Sequence, residues 1–242
     1  MLEIKGVEKR FGGLVAVSNI DMTINKGEIV GLVGPNGAGK TTLLNVIAGI
    51  YRPDKGRVTF QGNDITNMRL NKTCKTGIAK TFQHPHVFSE LSASECVMIG
   101  AIFGNNHSVS KKEAENVAAE HLEFVGFPHE KLDSPLTGLN TMEIKRTQLA
   151  RALASNPQLL LLDELMTGLN PSESSEAVKI IKKIQDNNIN IIIIEHLMRI
   201  ITKVSDRIVV LDHGEKIAEG TPDEVVNDSH VIDSYLGTNY AR

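Results

Sequence analysis

The sequence predicts an α/β fold with a mostly parallel sheet, an antiparallel β-subdomain near the N-terminus and a helical insertion. The apolar runs at residues 159–162 and 191–194 have no polar side and are separated by a helical pattern, which is typical of parallel strands buried on both faces. Up to residue 62, strand-like runs alternate with turn signals. Between about residues 92 and 151, the hydrophobic spacing becomes helical.

Composition narrows the classes of protein that this chain can belong to. The 242 residues are 41% hydrophobic and 23% charged, as in an ordinary globular domain. The net charge of −3 supplies no excess of cations for a nucleic-acid backbone, so nucleic acid is a poor candidate partner and we expect none. Cys74 and Cys96 have no metal-ligand spacing and are expected to be reduced thiols. No apolar run is long enough to cross a bilayer, and early charges argue against a signal peptide, so we expect a soluble chain.

The individual elements follow in chain order. The segments LEIKGVEKRFG, AVSNIDMTI, EIVGLVG and GRVTFQG are the first strands, with glycine turns at 25–27 and 53–56. In KKEAENVAAEHLEFVGF, one helical face carries Ala114, Val117, Ala118, His121, Leu122 and Val125. Strand LLLLD, helix ESSEAVKIIKKIQDN and strands IIIIE and RIVVLD come next. We expect a single domain, 1–242, with a mostly helical part at 84–150 and a hairpin strand and short helices at 214–242, where Thr221 and Pro222 begin a helix.

Residues 34–41, GPNGAGKT, match the phosphate-loop pattern GxxxxGK[ST] in the context that the pattern requires. They follow an apolar strand and precede a helical segment at 42–48. Glycines let successive N–H groups point inward at phosphates, and the helix N-terminus adds partial positive charge. Lys40 is expected to reach the β- and γ-phosphates, and the Thr41 hydroxyl to ligate Mg²⁺. The predicted nucleotide contacts are Gly34, Pro35, Asn36, Gly37, Ala38, Gly39, Lys40, Thr41 and Thr42.

Two adjacent carboxylates, Asp163 and Glu164, end the apolar strand LLLLD. A buried strand rarely ends in two acids without a cation nearby. Because side chains alternate along a strand, the two point in different directions. Asp163 can therefore serve Mg²⁺ while Glu164 faces an attacking water as a general base. With the phosphate loop, this pair predicts a P-loop NTPase core.

Further motifs resemble those of ABC-type ATPases, in the family's order and over essentially the whole chain. Gln83 in AKTFQ is similar to the Q-loop glutamine that touches Mg²⁺, and His196 after IIIIE is similar to the switch histidine at the γ-phosphate. Phe11 in KRFGG resembles the aromatic that stacks on adenine, with Val17 nearby. LARALASNPQLLLLDE resembles the segment that leads into the acidic pair. GLNP at 168–171 stands at the D-loop, with Asn170 in place of aspartate.

The family's signature, usually close to LSGGQ, is degenerate here. Counting back from Ala150 places it at residues 139–143, with Asn140 for serine and Met142 for glycine. A rival register, residues 136–140, lies three residues earlier. Asn140 and Glu143 form a capping-box pair, which favours a helix that begins at Asn140. In the family this helix start contacts ATP on the opposite subunit, so Asn140 and Met142 are candidate contacts to that nucleotide.

The resemblance implies an ATP-hydrolysing subunit, with Mg²⁺ and ATP, in which Glu164, His196 and Lys40 are catalytic and Thr41, Gln83 and Asp163 serve the metal. The stretches IIEH and SDRIVVLDHGEKIAEGTP and the ending VIDSYLG look like those of the ATPase subunits of branched-chain amino acid importers. The implied partners are a second ABC ATPase subunit, identical or different, transmembrane permease subunits and, indirectly, an extracytoplasmic solute-binding protein. The implied location is the cytoplasm, peripherally attached to the inner face of the cell membrane. The alternatives are a soluble ABC-type ATPase of cofactor assembly, or a low-activity or binding-only partner in a heterodimeric pair.

Overall fold

The computed structural model describes residues 1–81, 90–105 and 107–236. Its strands are β1 Leu2–Phe11, β2 Leu14–Ile24, β3 Ile29–Val33, β4 Lys55–Phe60, β5 Asn63–Asp64, β6 Ile78–Lys80, β7 Leu159–Asp163, β8 Asn190–Ile194, β9 Arg207–Asp212 and β10 Glu215–Gly220. Its α-helices are α1 Lys40–Ile47, α2 Leu70–Lys75, α3 Ala93–Gly104, α4 Lys111–Phe124, α5 Thr141–Leu153, α6 Pro171–Asp186, α7 Met198–Val204, α8 Pro222–Val226 and α9 Ser229–Leu236. None of the helices in these described ranges is both long and apolar enough to span a bilayer.

The strands form two sheets, and the predicted fold class is confirmed. The larger sheet has six strands in the order β10-β9-β3-β8-β7-β6, and its strands are parallel except for the edge strand β10. The smaller sheet has four antiparallel strands in the order β2-β1-β4-β5. In the larger sheet β3 lies between β9 and β8, so the loop that follows β3 opens near the middle of the sheet.

The parallel part of the larger sheet is buried on both faces because alternate residues of its strands enter two different cores. Leu32, Leu161 and Ile192 face a core shared with α1 and the smaller sheet. Leu160 and Ile193 face the other core, which contains apolar residues of helices α3 to α9. This two-sided burial explains why β7 and β8 read as continuous apolar runs rather than as alternating ones.

Between residues 90 and 153 the described chain is mostly helical. Of the six residues predicted to share one face, Ala114, Ala118, Leu122 and Val125 are fully buried. Two short 3-10 turns, His129–Lys131 and Leu136–Gly138, connect α4 to α5. At the other end of the chain, Thr221 begins α8 with a capping box and Pro222 occupies its first turn, as predicted.

Candidate functional site

The phosphate loop connects β3 to α1, and at two of its positions both the backbone conformation and close packing require glycine. Gly34 has φ 147° and Gly39 has φ 97°, values that favour glycine. A Cβ on Gly34 would lie 2.0 Å from the Leu211 carbonyl oxygen, and one on Gly39 would lie 2.3 Å from the Ala16 carbonyl oxygen. The loop is therefore packed against β9 and β2, and only hydrogen fits at these two positions.

Lys40 is folded back over this loop. Its Nζ donates hydrogen bonds to the Gly34 carbonyl at 2.7 Å and the Pro35 carbonyl at 2.8 Å. The side chain is only 7% exposed. Burial lowers the pKa of Lys40, while the nearby charges of Glu164 and Asp163 act in the opposite direction. The ammonium group thus lies in the cradle that phosphates would enter, held by contacts that a phosphate can replace.

The two adjacent carboxylates have different partners, as predicted, but Glu164 follows the end of β7 with φ 52°, so its direction is set by this turn and not by strand alternation. Asp163 is 2% exposed, and its Oδ1 lies 3.3 Å from Thr41 Oγ1. Its Oδ2 accepts a 2.7 Å bond from Lys80 Nζ. A hydroxyl and a carboxylate on adjacent elements are hard oxygen ligands that suit Mg²⁺. Thr41 and Asp163 therefore fit the predicted metal contact.

Glu164 contacts His196, the residue predicted to be the switch histidine. His196 Nε2 lies 2.7 Å from Glu164 Oε1, with side-chain exposures of 45% for the histidine and 9% for the carboxylate. Glu164 has φ 52°, which is uncommon for a residue with a Cβ and is found where surrounding contacts impose it. The structure brings together two groups that are 32 positions apart in the chain.

A cavity of about 450 Å³ extends from the phosphate loop to β2. It is lined by Phe11, Leu14, Val15, Ala16, residues 36–42, Glu164 and His213. The Phe11 ring is 43% exposed and stands edge-on to Tyr51, with the ring centroids 5.1 Å apart. An exposed ring beside a phosphate cradle offers a stacking surface for a base.

Val17 is placed differently from the prediction. Its side chain is fully buried in the core that also contains Ala38 and Leu43, and it does not line the cavity. The reason is the alternation along β2, in which Val17 turns toward the core. The cavity wall beside Phe11 is formed instead by residues 14–16.

Residues 139–143, predicted to be the degenerate signature, lead into α5 with the helix start in the predicted register. Asn140 is the N-cap, its side chain accepts a bond from Glu143 N, and the Glu143 carboxylate accepts one from Asn140 N, each at 2.9 Å. The capping box is therefore confirmed, whereas the rival register contains a 3-10 turn, Leu136–Gly138. Met142 is 8% exposed and lines a narrow cleft with Leu165 and Leu169, so its side chain points into the protein.

Gln83 lies outside the described residues, and its predicted contact with Mg²⁺ stays a prediction. Three charged residues near the site were not singled out from the sequence: Lys80 beside Asp163, and Lys145 and Glu195 beside the backbone that follows Glu164. Their only sequence signal is a charge next to an apolar run or a motif, as in IIIIE.

A phosphate loop behind a buried strand, with an acidic pair on a nearby parallel strand, defines the class of P-loop nucleotide-binding proteins. Comparison with known protein families identifies the family within this class. The chain belongs to the ABC transporter family, whose model matches residues 17–167. A second model, the branched-chain amino acid ATP-binding cassette transporter, matches residues 215–241.

Full-length relatives agree with this assignment. The chain is 34% identical to the high-affinity branched-chain amino acid transport ATP-binding protein LivG of Salmonella typhimurium and 33% identical to BraF of Pseudomonas aeruginosa, each over 98% of both chains. It is also 34% identical to the lipopolysaccharide export system ATP-binding protein LptB of Escherichia coli, over 99% of this chain and 98% of the relative.

Among solved structures, the chain is similar to the ADP conformation of the ATP-binding cassette MJ1267, with a TM-score of 0.89 and 30% identity over 98% of each chain. It is also similar to the dimeric post-hydrolysis cassette MJ0796 bound to ADP and phosphate. In that case the TM-score is 0.84 and the identity 26%, over 92% of this chain and 99% of the other.

Proposed function

We propose that this chain binds and hydrolyses Mg²⁺–ATP as one of two ATPase subunits that energise the import of branched-chain amino acids. The observation that carries the ATPase proposal is the Glu164–His196 pair, 2.7 Å apart, at the cavity formed by the phosphate loop. The match of residues 215–241 to the branched-chain amino acid family supports the solute class. Identity alone does not choose the solute, because LivG and LptB are equally similar.

ATP enters with its base on Phe11 and its phosphates in the loop. The N–H groups of the loop and the N-terminus of α1 receive the phosphate oxygens, and Lys40 exchanges its two carbonyl partners for the β- and γ-phosphates. Thr41 and Asp163 would hold Mg²⁺, with Gln83 as a further ligand. The metal, when bound, neutralises charge on the β- and γ-phosphate oxygens.

Hydrolysis then needs a water in line with the γ-phosphorus. Glu164 orients this water and accepts its proton as the water oxygen bonds to phosphorus and the bond to the ADP oxygen breaks. His196, held against Glu164, faces the γ-phosphate and stabilises the charge that develops on it. Lys40 stabilises the same charge from the loop side.

The cassette works as a dimer in this proposal. The N-terminus of α5, with Asn140 as its cap, contacts ATP held by the phosphate loop of the second subunit. The Asn140 side chain can still donate from its amide while its oxygen caps the helix. Met142 contributes only its backbone, since its side chain is buried.

Permease subunits provide the channel and attach the chain to the inner face of the membrane, and a solute-binding protein delivers the amino acid to them. The relatives named as transport proteins favour this role over cofactor assembly. The Glu164–His196 pair favours an active subunit over a binding-only partner.

The deciding experiment substitutes Glu164→Gln, which keeps the shape and removes the base. We expect kcat for ATP hydrolysis to fall by about 10²–10⁴-fold, since that is the usual contribution of a positioned general base. ATP binding should persist, and a closed dimer should accumulate with ATP in light-scattering measurements.

The matched control is Glu115→Gln, which removes an exposed carboxylate of α4. It should leave turnover unchanged. Normal turnover in Glu164→Gln would remove Glu164 from its role. For the solute, cells that carry the chain with its permease should take up labelled leucine, and uptake should stop with Glu164→Gln. Uptake that continues unchanged in that variant would contradict the import proposal.

A further inference from the structure

The backbone that follows the proposed base adopts a conformation that needs support from outside the segment. We call residues 164–166 the Glu164 turn. Glu164 has φ 52°, its N–H donates to the Ile194 carbonyl at 2.9 Å, and its carbonyl accepts a long 3.4 Å bond from Thr167 N. A residue with a Cβ keeps a left-handed conformation only where its neighbours over-determine it. The backbone position from which the Glu164 carboxylate reaches His196 therefore depends on what holds this turn.

One support comes from the signature helix. Lys145, on α5, extends its Nζ to the Leu165 carbonyl at 2.5 Å and the Glu164 carbonyl at 3.4 Å. Leu165 is 5% exposed, so the bond lies in a region largely shielded from water. A bond from a charged donor is stronger than a neutral one, and shielding strengthens it further. Lys145 thus connects two consecutive carbonyls of the turn to α5.

The second support comes from the residue before the switch histidine. Glu195 is 5% exposed, and its Oε1 accepts a 2.6 Å bond from Met166 N. Burial raises the pKa of Glu195 to about 7, although the Met166 bond and the charge of Lys145 oppose that rise. The Glu164 turn is therefore held by a cation at its carbonyls and by a carboxyl group at its next N–H.

We propose that Lys145 and Glu195 are positioning residues that hold the Glu164 turn, and that Lys145 transmits movement of α5 to the carboxylate of Glu164. This inference rests on the proposed roles of Glu164 and of the α5 N-terminus. Asn140, at the start of α5, faces ATP on the second subunit, whereas Glu164 acts on ATP bound to its own chain. Lys145, five residues from the cap, joins these two sites within one molecule through its bond to the Leu165 carbonyl.

A purely architectural role for Lys145 does not account for this geometry, because the next residue already attaches α5 to its neighbours. Arg146 pairs with Glu176 of α6 at 2.6 Å and donates to the Gly126 carbonyl at 2.5 Å. Arg146 thus fastens the helix to the rest of the fold. Lys145 instead bonds to the carbonyl of Glu164 itself and to that of the next residue.

The test compares Lys145→Met, which keeps length and removes the ammonium, with Lys145→Arg, which retains a cation. Because a misplaced catalytic group costs up to about a hundredfold, we expect kcat in Lys145→Met to fall about tenfold to a hundredfold. The Kd for Mg²⁺–ATP should change by less than about threefold, because no phosphate contact is lost. Lys145→Arg should recover most of the rate. Lys112→Met, at an exposed lysine of α4, is the matched control and should behave as the parent.

A second measurement does not depend on turnover. In hydrogen–deuterium exchange on the full chain, Lys145→Met should raise exchange at residues 164–167 and leave the phosphate-loop peptide unchanged. Glu195→Ala should raise exchange at Met166 in the same way, because its N–H loses its acceptor. An equal rise across the whole chain would mean general destabilisation and would overturn the proposal.

Failure of the positioning role of Lys145 can be distinguished from failure of the proposed function. If Glu164→Gln abolishes hydrolysis while Lys145→Met keeps the parent kcat and exchange pattern, only the positioning role is lost. If Glu164→Gln turns over normally, the base itself is misassigned. In a Glu164→Gln background, Lys145→Met should lower the residual rate by less than about twofold, because the group that it positions is already absent. A full additive loss there contradicts the inference.

Discussion

The two helix N-termini expected to address ATP are built in opposite ways. α1 follows Gly39, which is left-handed and has no side chain to cap the helix, and its first turn contains no acidic residue. α5 follows Asn140, whose capping box uses the N–H groups of Asn140 and Glu143 and places a carboxylate in the first turn. That carboxylate is paired with Lys131 at 2.7 Å.

The difference shows which hydrogen-bond acceptors are available to the first backbone N–H groups of each helix. An uncapped helix start leaves its N–H groups and its partial positive charge for an anion. A capped start is stable by itself and offers fewer donors to a ligand. α1 is therefore suited to hold the phosphates of its own ATP, and α5 to make a lighter contact with ATP on the second subunit.

The largest expected effect is at the uncapped helix. Lys40→Ala removes a cation that would bond to two phosphates, and we expect ATP binding to weaken by about 4 kcal/mol, close to a thousandfold in Kd. Titration with a fluorescent ATP analogue measures it. Lys179→Ala, at an exposed lysine of α6, is the control. A Kd for Lys40→Ala within threefold of the parent would contradict the claim that the start of α1 is the main phosphate-binding helix end.

The requirement for glycine at position 39, just before α1, can be tested by comparison with Gly37 in the same loop. Gly39→Ala places a Cβ 2.3 Å from the Ala16 carbonyl oxygen at φ 97°, whereas at Gly37, with φ 82°, a Cβ meets no atom within 4 Å. Strain and overlap together should lower the free energy of unfolding by about 3 kcal/mol for Gly39→Ala, and strain alone by about 1 kcal/mol for Gly37→Ala. Urea unfolding measures both values. Equal losses would show that overlap with β2 is not what requires glycine.

The stability of the protein should depend on pH through Glu195, which lies where α5 approaches the Glu164 turn. The pKa of Glu195 is about 7 in the folded protein against an ordinary 4.5, so the folded state binds this proton more tightly than the unfolded chain does. Its contribution to stability is present below about pH 4.5 and is lost as pH rises through about 7. In the parent, the free energy of unfolding should therefore fall by about 2 kcal/mol over this interval, and Glu195→Gln should remove that fall.

Urea unfolding of Glu195→Gln and the parent at several pH values measures this difference. Lys145, Glu164 and Asp163 also face Glu195, so the difference between the two proteins at each pH is the quantity to compare. Parallel pH profiles would contradict burial of an ionisable Glu195 at this junction.

The smallest expected effect is at the capped helix. Asn140→Ala removes the N-cap acceptor and should lower the free energy of unfolding by about 1 kcal/mol, whereas Asn140→Ser should restore most of it, since serine caps equally well. Thermal unfolding distinguishes the two. A loss of ATP affinity in Asn140→Ala as large as that in Lys40→Ala would show that the two helix starts are equivalent.

Much of the fold could be predicted because its signals are local. Continuous apolar runs indicated β7 and β8, and the glycine spacing located the loop before α1. The capping box of α5 was readable from Asn140 and Glu143 even though the family signature is degenerate. Val17 was misplaced because distance along the chain from Phe11 does not reveal which face of β2 enters the core.

The sequence by itself determined the phosphate loop, the acidic end of β7 and the helix caps, because each depends on residues within a few positions of one another. Only the tertiary structure decided that Lys80 reaches Asp163 and that Lys145 and Glu195 enclose the Glu164 turn. These groups come from β6, α5, β7 and the end of β8. What brings them together is the packing of a helix on a sheet, and no local periodicity encodes that contact.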